Sequence, residues 1–309
     1  MSYLYLLAGE NLELAEAELE GFLRSQKIQE NPVRSGRLAE TNNEPSQLKR
    51  LALTHEISRK VCETDRNLEI DYIPESSFAV RAENLTEEEL NTKEIEKNLG
   101  AHLSVEKNSV DLENPDTVVK AYVMQGKIVL GEVIEDINRG LFDGRKNQNR
   151  PFSSPISLDP VLARVLVNLS GVKPGEKLLD PFCGTGGILI EAGLCGVGVY
   201  GSDISEEMAE GCEKNLEEYG IISHSIRQGE ISNVEGIFAD QNFDAIVTDL
   251  PYGKASKKTD SAVDDFLDLI KGFQGQAVFM YDEEELGEYS ADFSVYIHKN
   301  LTRYIFIQK

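Results

Sequence analysis

A short apolar run, Leu178-Leu179, meets Asp180-Pro181 and then a turn of small residues, Phe182-Cys183-Gly184-Thr185-Gly186-Gly187, before Ile188, Leu189 and Ile190 restart an apolar pattern. That order predicts a buried strand delivering a glycine-rich loop to a helix N-terminus, the construction of a nucleotide-type pocket. The surrounding chain repeats the unit. After Asp159-Pro160, which caps a helix reaching about Leu169, strands are predicted at 177–181, 197–203, 225–228, 243–248 and 277–281, with helices at 187–194, 206–219 and 261–272. Such alternation means a parallel sheet covered on both faces. The tail breaks the rule: Phe293 to Ile297 and Arg303 to Ile307 are separated by a short Lys299-Asn300 joint and must form an antiparallel hairpin.

The glycine spacing narrows the ligand. A dinucleotide fingerprint begun at Gly184 would need its third glycine where Leu189 stands, and Asp180 at the strand end would crowd a pyrophosphate. A cofactor with a cationic or zwitterionic group beside Asp180, and no phosphates, fits better. S-adenosylmethionine has that chemistry. The next apolar run ends in Gly201-Ser202-Asp203, about 20 residues past the loop, the offset at which a second-strand carboxylate accepts both ribose hydroxyls.

With 309 residues the chain has room for two or three domains. No stretch approaches the ~18 apolar residues of a membrane span, and residues 1–21 carry five glutamates in place of a basic flank and apolar segment. A cytoplasmic protein is expected. Four cysteines without a C-x-x-C pair and four scattered histidines predict no metal site. A formal charge of -23 argues against a nucleic-acid partner only if the charge is even. It is not. Glu206 to Glu218 and Asp282 to Asp292 are acidic and read as solvated helix surface, whereas 139–150 sets Arg139, Arg145, Lys146 and Arg150 against Asp143 alone, and Lys254, Lys257 and Lys258 form a second basic island.

The first half alternates differently. A strand over Tyr3 to Gly9, a helix over Asn11 to Ser25, a short strand at 36–40, a helix over Glu44 to Leu53 and a strand over Arg59 to Thr64 make an α+β unit. A second unit follows, with a strand at Phe78 to Ala82, a helix at Glu87 to Leu99 behind a Thr86-x-x-Glu89 capping box, and a hairpin of Val118 to Met124 and Ile128 to Ile134 about Gln125-Gly126. The stretch 138–157, basic, Asn-rich and punctuated by Pro151 and Pro155, is the candidate linker, either a solvated loop or one that grips phosphate.

The chemistry-bearing stretch is Thr248-Asp249-Leu250-Pro251-Tyr252-Gly253, which follows the apolar run Ala245-Ile246-Val247. A parallel sheet places this strand end beside the glycine loop. The residue types suit methylation of an exocyclic amine, whose lone pair is delocalised into the base until the nitrogen turns tetrahedral and gathers positive charge. The Asp249 carboxylate and the Pro251 carbonyl could accept its two N–H groups, and Tyr252 could stack on a base withdrawn from its helix. A cytosine ring methyltransferase would need a Cys nucleophile on this strand, and none stands there.

Asp249-Leu250-Pro251-Tyr252 resembles the (Asp/Asn)-Pro-Pro-(Tyr/Phe) motif of amino-methyltransferases. Together with Asp180 to Gly187 it makes the chain similar to the THUMP-domain tRNA guanine-N2 methyltransferases that modify guanosine 10. The match is close over about Arg150 to Pro251 and one of pattern only before it. Leu250 stands where the family has its first proline, and Glu230 where it usually has Asp. The resemblance implies an α/β fold: a class I methyltransferase doubly wound sheet ending in an antiparallel hairpin, preceded by α+β ferredoxin-like and THUMP units. The organisation expected is 1–65 ferredoxin-like, 66–137 THUMP, 138–157 linker and 158–309 methyltransferase.

The resemblance also assigns roles. S-adenosylmethionine would be held by Asp180, Phe182, Gly184, Gly186, Gly187, Asp203, Ile204, Glu230 and Asp249, with catalysis by Asp249, Pro251 and Tyr252; the candidate tRNA contacts, Arg139, Arg145, Lys146, Arg150, Lys254 and Lys257, come from the two basic islands. The expected activity is methyl transfer to guanosine N2 in tRNA, at guanosine 10. The alternatives are another tRNA or rRNA site, a DNA amino-methyltransferase, or a non-catalytic RNA-binding subunit keeping the fold. The family sometimes works with a small zinc-binding activator protein.

Overall fold

The computed structural model describes residues 1–65, 70–155, 157–251, 257–298 and 301–308, with the backbone alone for 257–260. It divides into two compact units. The first comprises 1–16, 30–49 and 54–138, and the second comprises 17–29, 50–53 and 139–309.

In the first unit, strand alternation and local turns build one sheet. Its strands are β1 (Tyr3–Leu7), β2 (Val33–Ser35), β3 (Leu38–Thr41), β4 (Thr54–Thr64), β5 (Ser77–Asn84), β6 (Ser109–Val110), β7 (Thr117–Met124) and β8 (Lys127–Asp136), in the order β2-β3-β1-β4-β8-β7-β5-β6. Strand β4 pairs antiparallel with β1 on one side and β8 on the other, so a single sheet runs from residue 3 to residue 136. The β7–β8 hairpin turns as the Gln125-Gly126 step predicts, with Gly126 at φ 81°, a left-handed angle that glycine adopts without steric cost. Helix α1 (Leu12–Ser25) starts in this unit and, from Ala17, counts with the second. Helix α2 (Thr92–Leu103) covers one sheet face, packing Leu99 and Leu103 on Phe78, Val80, Val119 and Leu130.

Two expectations here are corrected. The helix expected from Glu87 begins at Thr92, because Asn91 caps it by accepting from the Glu94 amide at 3.2 Å. Thr86 instead bonds locally, donating to Asn84 at 2.8 Å and accepting from the Glu88 amide, the turn geometry that competes with helix. The helix expected over Glu44 to Leu53 shrinks to one 3₁₀ turn, Leu48–Arg50, since Pro45 lacks a donor and Gln47 sits at φ 50°.

The second unit carries α3 (Pro160–Leu169), β9 (Lys177–Asp180), α4 (Gly187–Leu194), β10 (Gly198–Asp203), α5 (Glu206–Glu218), β11 (His224–Gln228), the short α6 (Val234–Ile237), β12 (Ala245–Asp249), α7 (Lys257–Lys271), β13 (Gln276–Tyr281), β14 (Glu285–Leu286), β15 (Tyr289–Ser290), β16 (Phe293–His298) and β17 (Leu301–Gln308). The sheet order is β11-β10-β9-β12-β13-β17-β16, parallel through β13 and antiparallel from β17. This is the class I methyltransferase fold, closed by the terminal hairpin the sequence predicts; the Lys299-Asn300 joint itself lies outside the described residues. Strand order reverses between β9 and β12, where open α/β sheets bind their ligands at the carboxyl ends. One face of the sheet buries Ile246, Leu250, Phe266, Phe279 and Phe306, with Phe279 and Phe306 stacked at 4.9 Å. The acidic stretch 282–292 is not helical but forms the β14–β15 hairpin.

Residues 17–29 and 50–53 join this unit through buried polar bonds. The Glu18 carboxylate accepts from the Ala52 and Leu53 amides at 2.8 and 2.7 Å and from the Asn168 side chain of α3 at 2.7 Å. Arg50 donates to Asn168 and to the Val172 carbonyl, both at 2.7 Å. Gly21 is obligatory at the crossing of α1 and α3, since a Cβ there would lie 2.1 Å from the Asn168 carbonyl oxygen. Among the described residues no helix is long and apolar enough to cross a membrane.

Candidate active site

Three neighbouring strand ends supply the site. Asp180 ends β9, and its Oδ1 accepts from the Phe182 amide at 3.1 Å and from the Thr248 hydroxyl at 2.6 Å. Asp203 ends β10, accepting from the Gly184 amide at 3.0 Å and the Ser205 amide at 2.9 Å. Asp249 ends β12. The glycine loop between them is held by the Cys183 amide on the Ser202 carbonyl and by Gly186 at φ 82°. A Cβ on Gly186 would lie 2.7 Å from Cys212 Sγ.

Asp180, Phe182, Gly184, Gly187, Asp203, Ile204, Glu230, Asp249 and Pro251 all line one cavity of about 640 Å³. Gly186 shapes the loop from behind and is not in its wall. Tyr252 and Lys254 lie outside the described residues, and for Lys257 only its place at the start of α7 is described. Ser157 and Leu158, ahead of α3, and Ser261, Ala262 and Asp265 on α7 also line the cavity, and no motif in the sequence pointed to them.

The described lining holds five carboxylates (Asp180, Asp203, Glu230, Asp249 and Asp265) and no Lys, Arg or His. Such walls repel phosphate and favour a ligand bearing positive charge and hydroxyl donors. The acids do not gather as a metal site: among the described residues no group of three or more His, Cys, Asp or Glu side chains could hold an ion. Burial pushes the Asp180 carboxyl from its ordinary 3.8 to about 7, against the Thr248 and Phe182 hydrogen bonds that lower it, and the charge of Asp203 adds to the rise. A cationic group entering here would stabilise its ionised form.

Asp249 has a partner that sequence reasoning missed. Arg303 of β17 donates through Nη2 to Asp249 Oδ1. Burial pushes this guanidinium down to about 10, which leaves it protonated at neutral pH. The signal was present: Arg303 stands two residues before Ile305 on a strand whose side chains alternate, so it falls on the apolar face. A charge in that position demands a countercharge. Leu250, in the place of the motif's first proline, is fully buried, and its amide donates to the Met280 carbonyl of β13 at 3.0 Å, a bond proline cannot make.

In the basic island at 139–150, Arg145 and Arg150 turn towards protein groups, while Arg139 and Lys146 stay partly exposed. Arg145 donates to the fully buried Glu191 at 2.6 Å and lies over the Phe142 ring. Arg150, 5% exposed, donates to the Arg145 carbonyl, Ser157 and Thr185. Their guanidiniums are spent on protein groups. Lys146 pairs with Asp143 at 2.6 Å on the surface, and Arg139 is half-buried. Arg150, Phe152 and Ser157 therefore staple the chain onto the glycine loop, reinforced by Asn215, which bonds the Phe152 amide and carbonyl and the Thr185 carbonyl.

Comparison with known proteins agrees with this geometry. A family profile described as the RMKL-like methyltransferase domain matches residues 147–271, and a THUMP domain profile matches 55–131. The tRNA (guanine(10)-N2)-dimethyltransferase of Methanothermobacter thermautotrophicus is 39% identical over 287 residues, covering 87% of this chain and 84% of its own. The protein of the same description from Pyrococcus abyssi is 38% identical, with 79% and 76% covered. Among solved structures, TrmN from Thermus thermophilus superposes with a TM-score of 0.54 at 19% identity over 99% of both chains, a likeness of fold. With an acid-walled strand-end cavity, a THUMP unit and relatives of this identity and coverage, the chain belongs to the THUMP-domain tRNA (guanine-10-N2) methyltransferase family.

Proposed function

We propose that the protein transfers methyl from S-adenosylmethionine to the exocyclic N2 of guanosine 10 in tRNA, in the cytoplasm. The single observation that carries the reading is that Asp180, Asp203 and Asp249, from three separate strand ends, line one cavity whose described walls contain acids and no base. When bound, S-adenosylmethionine supplies an electrophilic methyl on a positively charged sulfur.

The chain's own residues supply the rest. Asp203 has two oxygens at the rim, each already receiving one amide, with lone pairs left for ribose hydroxyls. Asp180, at the floor, offers its charge to the amino acid end of the donor. Glu230 carries the contact with the adenine amino group, and Phe182 and Ile204 flank the ring as apolar walls. Asp249 and the Pro251 carbonyl accept the two N–H groups of the target amine, favouring the positive charge that gathers on nitrogen. Tyr252 takes the stacking role on the withdrawn base. Given the burial of Arg145 and Arg150, tRNA contacts from the linker reduce to Arg139 and Lys146, with Lys254 and Lys257 beyond the catalytic loop.

The test is direct: incubate the full chain with S-adenosylmethionine and an unmodified tRNA transcript, digest, and identify the methylated nucleoside and its position by mass. N2-methylated guanosine at position 10 is expected. Cofactor binding without incorporation into any tRNA would sink the reading and leave a non-catalytic RNA-binding subunit. The same reaction run with the purified chain alone decides the place of a small zinc-binding activator, because transfer by the isolated chain removes the need for one.

A further inference from the structure

Arg303 belongs to neither motif, yet it is tied to the residue on which the chemistry turns. In the sheet β17 is separated from β12 by β13, so the side chain reaches past the end of β13 to meet Asp249. The arginine side chain is 3% exposed and the aspartate 24%. A buried ion pair of this kind gives little net stability, so a role beyond folding has to be sought where the pair points.

It points at a junction. A second cavity, about 280 Å³, is lined by Asp249 and Arg303 together with Leu158, Leu162, Ile297 and Leu301. It shares Ser157, Leu158 and Asp249 with the larger cavity. Asp249 thus stands between a chamber walled by acids and a chamber whose lining joins these aliphatic side chains to the polar Lys146, Asn147, Gln148 and Asp159, a mixture of apolar surface and hydrogen-bonding groups that suits a nucleobase.

A carboxylate at the end of a strand has two equivalent oxygens and a soft terminal torsion. Left alone, it would sample orientations in which neither oxygen faces the incoming amine. We propose that Arg303 is a positioning residue for methyl transfer: by holding one oxygen of Asp249 it turns the other towards the junction, where the exocyclic amine of a purine lodged in the second cavity meets the donor methyl. The inference rests on the reading of Asp249 given above. The pair also presents the amine with a carboxylate whose charge screens it from the guanidinium behind, so orientation is gained without placing a bare cation against a nitrogen that is becoming positive.

The experiment uses the full chain and an unmodified tRNA transcript, with single-turnover transfer measured for wild type, Arg303→Met, Arg303→Lys and Leu301→Trp. Cofactor affinity is read by calorimetry with S-adenosylhomocysteine, and folding by thermal melting. Arg303→Met should lower the transfer rate by about 10²-fold, the cost of an ångström-scale misplacement, with KM for tRNA and cofactor affinity unchanged. Arg303→Lys should recover part of the rate, and Leu301→Trp should lower it by filling the second cavity while cofactor binding stays intact. Wild-type rates in Arg303→Met overturn the proposal, as does a loss that appears in cofactor affinity and melting temperature and not in the transfer step. Should Arg303→Met fail to fold, wild-type rates in both Arg303→Lys and Leu301→Trp overturn it. A wild-type chain that makes no N2-methylguanosine is a different failure, that of the functional reading itself.

Discussion

Glu191 and Asp180 are both buried carboxylates of the second unit, and the chain treats them in opposite ways. Glu191, with a fully buried side chain, receives Arg145 at 2.6 Å and Arg164 at 2.7 Å. Glu18, equally buried, is held by two backbone amides and Asn168. Among the described residues, Asp180 receives a hydroxyl and one amide, and Asp203, Glu230 and Asp265 share its cavity without a basic residue in the described walls. Charges compensated from within build scaffold; charges left for something else to compensate mark where a ligand goes. Asp249 is the intermediate case, its cation buried behind it and its free side open to two cavities.

Each half of that contrast can be broken separately. The largest effect is expected on the scaffold side: Glu191→Ala leaves two buried guanidiniums facing each other and should cost about 3–5 kcal/mol of stability, read by chemical denaturation. An unchanged midpoint would mean the network is dispensable and the contrast empty. On the ligand side, Asp249→Ala should lower the transfer rate by roughly 10²–10³-fold, about 2.7–4 kcal/mol, if its acceptor role matches that of an oxyanion-hole donor in reverse. Cofactor affinity should survive, while the melting temperature should fall because the buried Arg303 guanidinium loses its countercharge.

Next comes Asp203→Ala, expected to weaken cofactor binding by about 1.5–3 kcal/mol, the scale of a hydrogen bond to a charged group, with calorimetry as the measure. If it instead lowers stability and spares affinity, the pocket acids belong with Glu191. A pH slope tests the pocket charge without a ligand. A carboxyl raised from 3.8 to about 7 in the folded state holds a proton that the unfolded chain has released, so its contribution to stability is complete at low pH and is lost as pH rises through that window. The ligand-free protein should therefore lose stability between those values, and Asp180→Asn should flatten the loss in denaturation series.

Much of this was legible in the chain. The β-α alternation after Leu158 and the terminal hairpin specify the sheet because each strand is an apolar run bounded by turn residues, and one-dimensional periodicity is enough to see that. Asp180, Asp203 and Asp249 were legible for the same reason: each ends such a run. What stayed hidden depends on distance in three dimensions. Arg303 is 54 residues from Asp249, and the bond from Arg150 to Thr185 spans 35 residues. Thr86 and Asn91 both carry cap chemistry, and choosing between them needed the Asn84 contact that holds Thr86 in a turn. The strand expected over Arg59 to Thr64 starts at Thr54, and only its two partners, far away in the chain, make it central.

Among the described residues, the titratable side chains lining the larger cavity are, one thiol aside, all acids. On the proposed reading, the step from sulfonium to thioether would remove one of the donor's two positive charges and leave the ammonium, so these walls would hold the product less tightly than the donor. The pocket would then grip its fuel and shed its ash by the same electrostatics, with no moving part assigned to product exit.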